Sequence, residues 1–157
     1  MKKYNNVALG GTFDIVHRGH LELLKKSFEI GSFIIIGITS DEFVTSILKK
    51  NTKNSYPIRV QNLKILIEKE INLNNYEITK LDSNFGPLMT SNNIECLVVS
   101  SETEAKGKMI NPIRIKLGLP SIDIYKVKLV LADDGLPISS SRIRSNEIDE
   151  NGLKINK

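Results

Sequence analysis

The chain's only two histidines, His17 and His20, lie three positions apart in the segment Gly10-Gly-Thr-Phe-Asp-Ile-Val-His-Arg-Gly-His20. A short apolar run before it, Val7-Ala8-Leu9, reads as a strand, and Leu21, Leu23, Leu24 and Phe28 after it fall on one helix face. A strand that turns through glycines into a helix leaves unpaired backbone N–H groups at the helix start, where the macrodipole adds partial positive charge. Two imidazoles at that point can donate to the oxygens of one phosphate ester, and Thr12 adds a hydroxyl and an N–H. Gly19 between the rings keeps a side chain from blocking a ligand's approach to backbone. The chemistry indicated is phosphate handling, with His20 stabilising charge on the reacting phosphorus.

Two plainer readings compete for the histidines. Residues three apart on a helix share a face and could ligate a metal, but zinc usually takes three or four protein ligands. No third histidine exists and the single cysteine, Cys96, is distant, so no metal site is expected. Alternatively His20 merely caps or packs.

A second constellation lies near the far end, Pro137-Ile-Ser-Ser-Ser-Arg-Ile-Arg144. Ser139, Ser140 and Ser141 opening a helix, followed by Arg142 and Arg144, form an anion cradle, unless they are ordinary capping residues beside solvated arginines. Ser100-Ser-Glu-Thr-Glu-Ala-Lys-Gly107 offers nucleotide contacts or, equally well, a capping box from Ser100 or Ser101 to a glutamate three residues on. Lys49 and Lys50 lie in a polar loop, solvated by default yet able to swing onto an anionic substrate.

These segments need positioning, and the intervening pattern supplies it. Strands are expected at residues 4–9, 33–38, 76–81, 95–99 and 122–131, the third at a sheet edge. Phe33-Ile-Ile-Ile-Gly-Ile38 is a continuous apolar run that suits a parallel strand buried on both faces. Thr39-Ser-Asp41 is an N-cap cluster, and Pro57 opens a helix with Val60, Leu63, Leu66 and Ile67 on one stripe. A further helix with Ile113 and Leu117 ends at Gly118 and Pro120, and the last helix starts near Ser139. Strand and helix alternate throughout, which requires crossovers and hence a parallel sheet. The expected fold is α/β: a Rossmann-like, doubly wound, five-stranded parallel sheet in a single domain, residues 1–150, with 151–157 a fraying tail. In such sheets ligands bind at the carboxyl ends of strands, and all the segments above fall at that edge.

Composition narrows the function. At 157 residues, 40% hydrophobic and 25% charged, the chain has the make-up of an ordinary globular domain. A net charge of +4 interleaved with acids, and few aromatics for stacking, argue against nucleic acid. No apolar run approaches the ~20 residues that span a bilayer, so no membrane partner is expected. The N-terminus lacks the unbroken apolar stretch of a secretion signal, and one cysteine allows no intrachain disulfide. Both fit a cytoplasmic protein. Cys96, followed by Leu97-Val-Val99, reads as inert core. Oligomeric state is left open, a homo-oligomer included.

Gly10-Gly-Thr-Phe-Asp with His17-Arg-Gly-His20 and the distal Ile138-Ser-Ser-Ser141 resemble the nucleotidyltransferase superfamily of small adenylyl- and cytidylyltransferases. Within it the chain is similar to the phosphopantetheine adenylyltransferases of the archaeal and eukaryotic type. Gly37-Ile-Thr-Ser-Asp-Glu42, Val98-Val-Ser-Ser-Glu-Thr103, Gly118-Leu and Glu147-Ile-Asp149 support this over nearly the whole chain. The resemblance implies transfer of AMP from ATP, accompanied by Mg2+, to 4′-phosphopantetheine, giving dephospho-coenzyme A and pyrophosphate.

By the same resemblance His20, His17 and Thr12 are catalytic. ATP is held by Gly11, Thr12, Phe13, His17, His20, Ser139, Ser140, Ser141 and Arg142. The acceptor meets Thr12, Asp14, Lys50 (or its neighbour Lys49) and Met89. Lys106 and Arg114 stand in for the arginines that bacterial-type enzymes carry after the fourth strand. Relatives often have Gly near Asn146, where the last helix ends. No carrier of a covalent intermediate is apparent, so direct in-line attack is expected. Rival acceptors within the superfamily are nicotinamide mononucleotide, FMN and glycerol 3-phosphate, the last with CTP. A regulatory nucleotide-binding module without catalysis is the rival of another class.

Overall fold

The structure is a computed structural model that describes residues 2–101 and 103–155. β1 (Tyr4–Gly11) carries Val7, Ala8 and Leu9, all buried because a central parallel strand is covered on both faces. α1 (Arg18–Ile30) buries Leu23, Leu24, Ser27 and Phe28, and β2 (Gly31–Thr39) follows directly. α2 (Asp41–Ser46) is capped by Ser40, whose hydroxyl accepts from the Phe43 N–H at 3.1 Å. Pro57 lies in the first turn of α3 (Tyr56–Glu70), where a missing N–H costs nothing. β3 (Tyr76–Leu81), a 3-10 turn (Gly86–Met89) and β4 (Cys96–Val99) come next. Then follow α4 (Glu104–Lys108), α5 (Ile110–Lys116), β5 (Asp123–Lys126) and α6 (Ser140–Arg144).

The five strands pair in the order β3-β2-β1-β4-β5, every pairing parallel. β1 aligns with β2 from Tyr4↔Gly31 to Gly11↔Ile38, and β4 lies on its other side at Val7↔Cys96. The winding reverses between β1 and β4, so the loops leaving these two strands diverge and open a crevice. Alternate residues of β1 feed two cores. Val7 and Leu9 join Leu24, Phe28, Leu63 and Ile67 under α1 and α3. Ala8 joins Leu88, Ile94, Leu97, Ile110 and Ile122 beneath α5 and the 3-10 turn.

The expected architecture stands, with three local corrections. Alternation to Leu131 suggested a long last strand, but β5 ends at Lys126 because its partner β4 stops at Val99, which accepts one last bond from the Val127 N–H. In α5 the inward face is Ile110 and Arg114, while Leu117 is exposed. Residues 151–155 pair with the rest of the chain: Ile148 and Lys154 bridge, and Asp133 N–H donates to Gly152 O at 2.8 Å. Asn156 and Lys157 lie outside the described residues.

α6 ends in a Schellman motif, with Asn146 N–H on Ile143 O and Glu147 N–H on Arg142 O, each 3.0 Å. Asn146 itself is left-handed at φ 59°, a conformation that asparagine tolerates better than most residues. No helix among the described residues is long and apolar enough to cross a membrane.

Candidate active site

A cavity of about 740 Å³ opens at the carboxyl ends of β1, β2 and β4. His17, His20 and the three serines from the other end of the chain all line it. Ser140 fastens the two motifs together: its hydroxyl donates to Ile15 O at 3.0 Å and accepts from Ile15 N–H at 3.3 Å.

The imidazoles stack, with centroids 3.8 Å apart, and form a capping box on α1 in place of the usual serine and glutamate. His17 Nδ1 accepts from Gly19 N–H at 3.0 Å, and His20 Nδ1 accepts from His17 N–H at 3.3 Å. The rings thus cap α1 and line the cavity at once. With Nδ1 of each ring an acceptor, the proton of the neutral ring sits on Nε2, which remains available to a ligand. Burial pushes His17 down to about 4, and burial followed by the neighbouring His17 pushes His20 well below the usual histidine range. The pair is therefore neutral at pH 7 without ligand. Gly19 has a more immediate role than ligand access, because a Cβ there would lie 2.9 Å from the His17 ring. Phe13, left-handed at φ 53°, packs its buried ring 4.9 Å from His20.

Arg59 on α3 braces this corner. Its side chain is fully buried and donates to Thr12 O and Thr39 O (both 2.8 Å), Asn54 O (3.1 Å) and the Asp41 carboxylate (2.8 Å). One guanidinium thereby joins the ends of β1 and β2, the loop at 49–55 and the start of α2. Thr39 donates its hydroxyl to Thr12 Oγ1 at 3.2 Å, fixing the threonine that faces the cavity. Asp14 supplies a second brace. Its carboxylate accepts from Lys53 and Asn54 N–H, both at 2.9 Å, and from Arg144.

The cytidylyltransferase-like family model matches residues 8–146. The chain belongs to this family. It is 42% identical over 152 residues to the phosphopantetheine adenylyltransferase of Methanothermobacter thermautotrophicus, covering 96% of this chain and 90% of the relative. It is 37% identical over 157 residues to the enzyme of the same name from Pyrococcus furiosus, covering 99% and 97%. Among solved structures, a protein with unknown function from Archaeoglobus fulgidus superposes with a TM-score of 0.69 at 34% identity, covering 78% of this chain and 97% of that one.

Of the residues that the family resemblance nominated, Gly11, Thr12, Phe13, Asp14, His17, His20, Lys50, Ser139, Ser140 and Ser141 line the cavity. Lys50 lines it and Lys49 does not, which separates the two lysines. Lys106 also faces it, beside Ser100 and Thr103. The expected capping box of that stretch does not form: α4 has no side-chain cap, and Thr103 Oγ1 accepts from Ser100 N–H at 3.1 Å. Glu102 lies outside the described residues.

Four nominated residues have placements that the sequence did not indicate. Arg142 is held away by Asp134, Glu147 and Pro137 O, and Arg144, two residues on, lines the cavity instead. Met89 is 37% exposed, because the tight 3-10 turn directs Phe85, Pro87 and Leu88 inward and Met89 outward. Asp14 lines the wall, and its carboxylate accepts from the loop and from Arg144. Arg114 is buried and bonded to backbone carbonyls, out of a nucleotide's reach. Cys96 is buried as expected, its thiol pushed up to about 11 by burial.

Replacing Arg59 with Met strands three backbone carbonyls, each costing about 1–3 kcal/mol when unsatisfied. Arg59→Met is expected to lose about 3 kcal/mol or more of stability, read as a lower urea midpoint. The histidines give a pH signature. Unfolded, each titrates near ~6.5; folded, both bind protons only at lower pH. Stability is full above the unfolded value and falls as pH drops towards about 4, where folded His17 titrates. The double variant His17→Asn with His20→Gln keeps the capping acceptors and should flatten that part of the stability–pH curve.

Proposed function

We propose that this chain is a phosphopantetheine adenylyltransferase that moves AMP from ATP to 4′-phosphopantetheine. The observation that carries the reading is the single cavity shared by the stacked histidines and the Ser139–Ser141 cluster, set at the sheet's switch point. The relatives named above, which match almost end to end, supply the acceptor.

The chemistry asks for little more than positioning. A phosphate monoester has its second pKa near ~6 and is largely dianionic at neutral pH, so the acceptor oxygen needs no general base. That oxygen attacks the α-phosphorus of ATP in line. The bond from the α-phosphorus to the bridging oxygen breaks, and pyrophosphate leaves with the electron pair. His20 Nε2–H donates to the phosphoryl oxygens as charge builds on them, while Thr12 orients the acceptor phosphate. His17 and the serines hold the departing phosphates, with Arg144 in the place first given to Arg142. Lys50 neutralises the acceptor phosphate. Leu81, Phe85 and Leu88 offer an apolar wall to the pantetheine arm.

Mg2+ fits this scheme as the nucleotide's companion rather than as a resident ion. Among the described residues no group of three or more His, Cys, Asp or Glu could hold a metal. The cavity carboxylate of Asp14 already accepts from Lys53, Asn54 and Arg144, so the ion would arrive on the nucleotide's own phosphates.

The test is pyrophosphate release from ATP with 4′-phosphopantetheine, nicotinamide mononucleotide and FMN in parallel, and from CTP with glycerol 3-phosphate. Turnover with 4′-phosphopantetheine far above the others is expected; preference for another acceptor overturns the assignment. His20→Ala should lower kcat by about 100-fold or more, the usual cost of removing one transition-state donor. Near-normal turnover in that variant would remove His20 from the mechanism.

A further inference from the structure

Arg114 on α5 is the second buried arginine, and it differs from Arg59 in having no carboxylate partner among the described residues. Its Nε donates to Pro120 O at 2.8 Å, and its Nη1 donates to Leu88 O at 2.6 Å and Ser91 O at 3.0 Å. Its Nη2 has no partner among the described residues. A guanidinium buried on carbonyls alone is costly, so what it holds deserves inspection.

Leu88 O and Ser91 O belong to the end of the 3-10 turn and the residues just after it, where carbonyls lack partners of their own. Phe85, Pro87 and Leu88 of that turn form one apolar wall of the cavity, continuous with Ile94 and Leu97. Asn111, one helical turn before Arg114, exchanges two hydrogen bonds with Ile122, both 2.9 Å, and so anchors the same face of α5 to the segment entering β5. The turn therefore hangs from a fixed helix by the arginine's fork. The phosphate-holding wall is braced separately, by Arg59.

We propose that Arg114 is a positioning residue for acceptor selection, setting the distance of the 3-10 turn from the sheet and with it the fit of the acceptor's apolar arm. This rests on the reading of 4′-phosphopantetheine as acceptor. Arg114 touches neither substrate; it acts through Leu88 and its neighbours.

Arg114→Met keeps the buried aliphatic volume without the donors, and Arg114→Lys keeps the charge without the fork. Both should raise KM for 4′-phosphopantetheine by about tenfold or more, the scale of a lost charged hydrogen bond, with KM for ATP and kcat within about twofold of the native values. On 4′-phosphopantothenate, which lacks the end of the arm, variants and native chain should agree within about twofold. An unchanged KM for the full acceptor, a parallel rise in KM for ATP, or an equal loss on the truncated acceptor would overturn the proposal.

A measurement on the native chain needs no folded variant. 4′-Phosphopantetheine should slow hydrogen exchange at the Leu88, Thr90 and Ser91 amides, whose bonds define the turn, and ATP should not. Lack of such protection overturns the proposal even if both variants misfold. Absence of turnover by the native chain on 4′-phosphopantetheine would instead sink the acceptor assignment. Arg114 is then judged by whether Arg114→Lys speeds exchange at those three amides and not in α1; no selective change rejects it.

Discussion

Arg59 is the tie on which the cavity depends. Strands that run parallel do not hold one another's exits: β1 and β2 release their chains side by side, into loops with no reason to stay together. The guanidinium accepts that task by taking carbonyls from both exits, from the loop bearing Lys50, and a carboxylate from the following helix. A planar fork of five donors suits backbone oxygens approaching from several directions. Asp41, half exposed, faces water, so the charge is balanced at the rim and the burial cost is contained. The threonines at the two exits then bond to each other, and the phosphate-facing corner becomes rigid.

The histidines show a further economy. A helix start needs acceptors for its orphan N–H groups, and a phosphate site needs donors. A neutral imidazole has one nitrogen of each kind, so His17 and His20 cap the helix with Nδ1 and, in the proposed reaction, serve the phosphates with Nε2. The cost is that α1 offers fewer free backbone donors than its sequence suggests. Gly19 N–H is bound to His17, and Arg18 N–H is bound to Glu150 O at 2.9 Å. In the proposed reaction, anion recognition thus falls mainly to side chains. The stacked, desolvated rings also resist protonation, so their contribution is directional hydrogen bonding rather than fixed positive charge.

Much of this was legible in the residues. Continuous apolar runs such as Ile34–Ile38 mark strands buried on both faces, and their alternation with helical stripes dictates the parallel sheet. The histidines and serines stood out because chemistry-bearing types clustered at strand exits. Arg59 did not stand out, and Arg114 was nominated by resemblance alone, for a nucleotide contact rather than for its carbonyl partners. A single arginine on a helix looks like a solvated residue, because nothing local reveals that distant carbonyls converge on it. The choice of Arg144 over Arg142 was hidden for a related reason: positions two apart on a helix point about 200° apart, and which one faces the cavity depends on how α6 docks. Likewise the paired residues 148–154 look like polar tail until the turn at 131–137 is in place to receive them.

The grip of Ser140 on Ile15, 125 residues earlier, has a consequence for how the protein is made. Synthesis proceeds from the N-terminus, and the histidine turn leaves the ribosome long before the serine helix exists. Until then the β1–α1 turn lacks its closing wall, and Arg18 lacks the Glu150 carbonyl that covers it. A nascent chain can lay down most of its sheet while the cavity still lacks its serine side, so the sheet precedes the pocket in the order of manufacture.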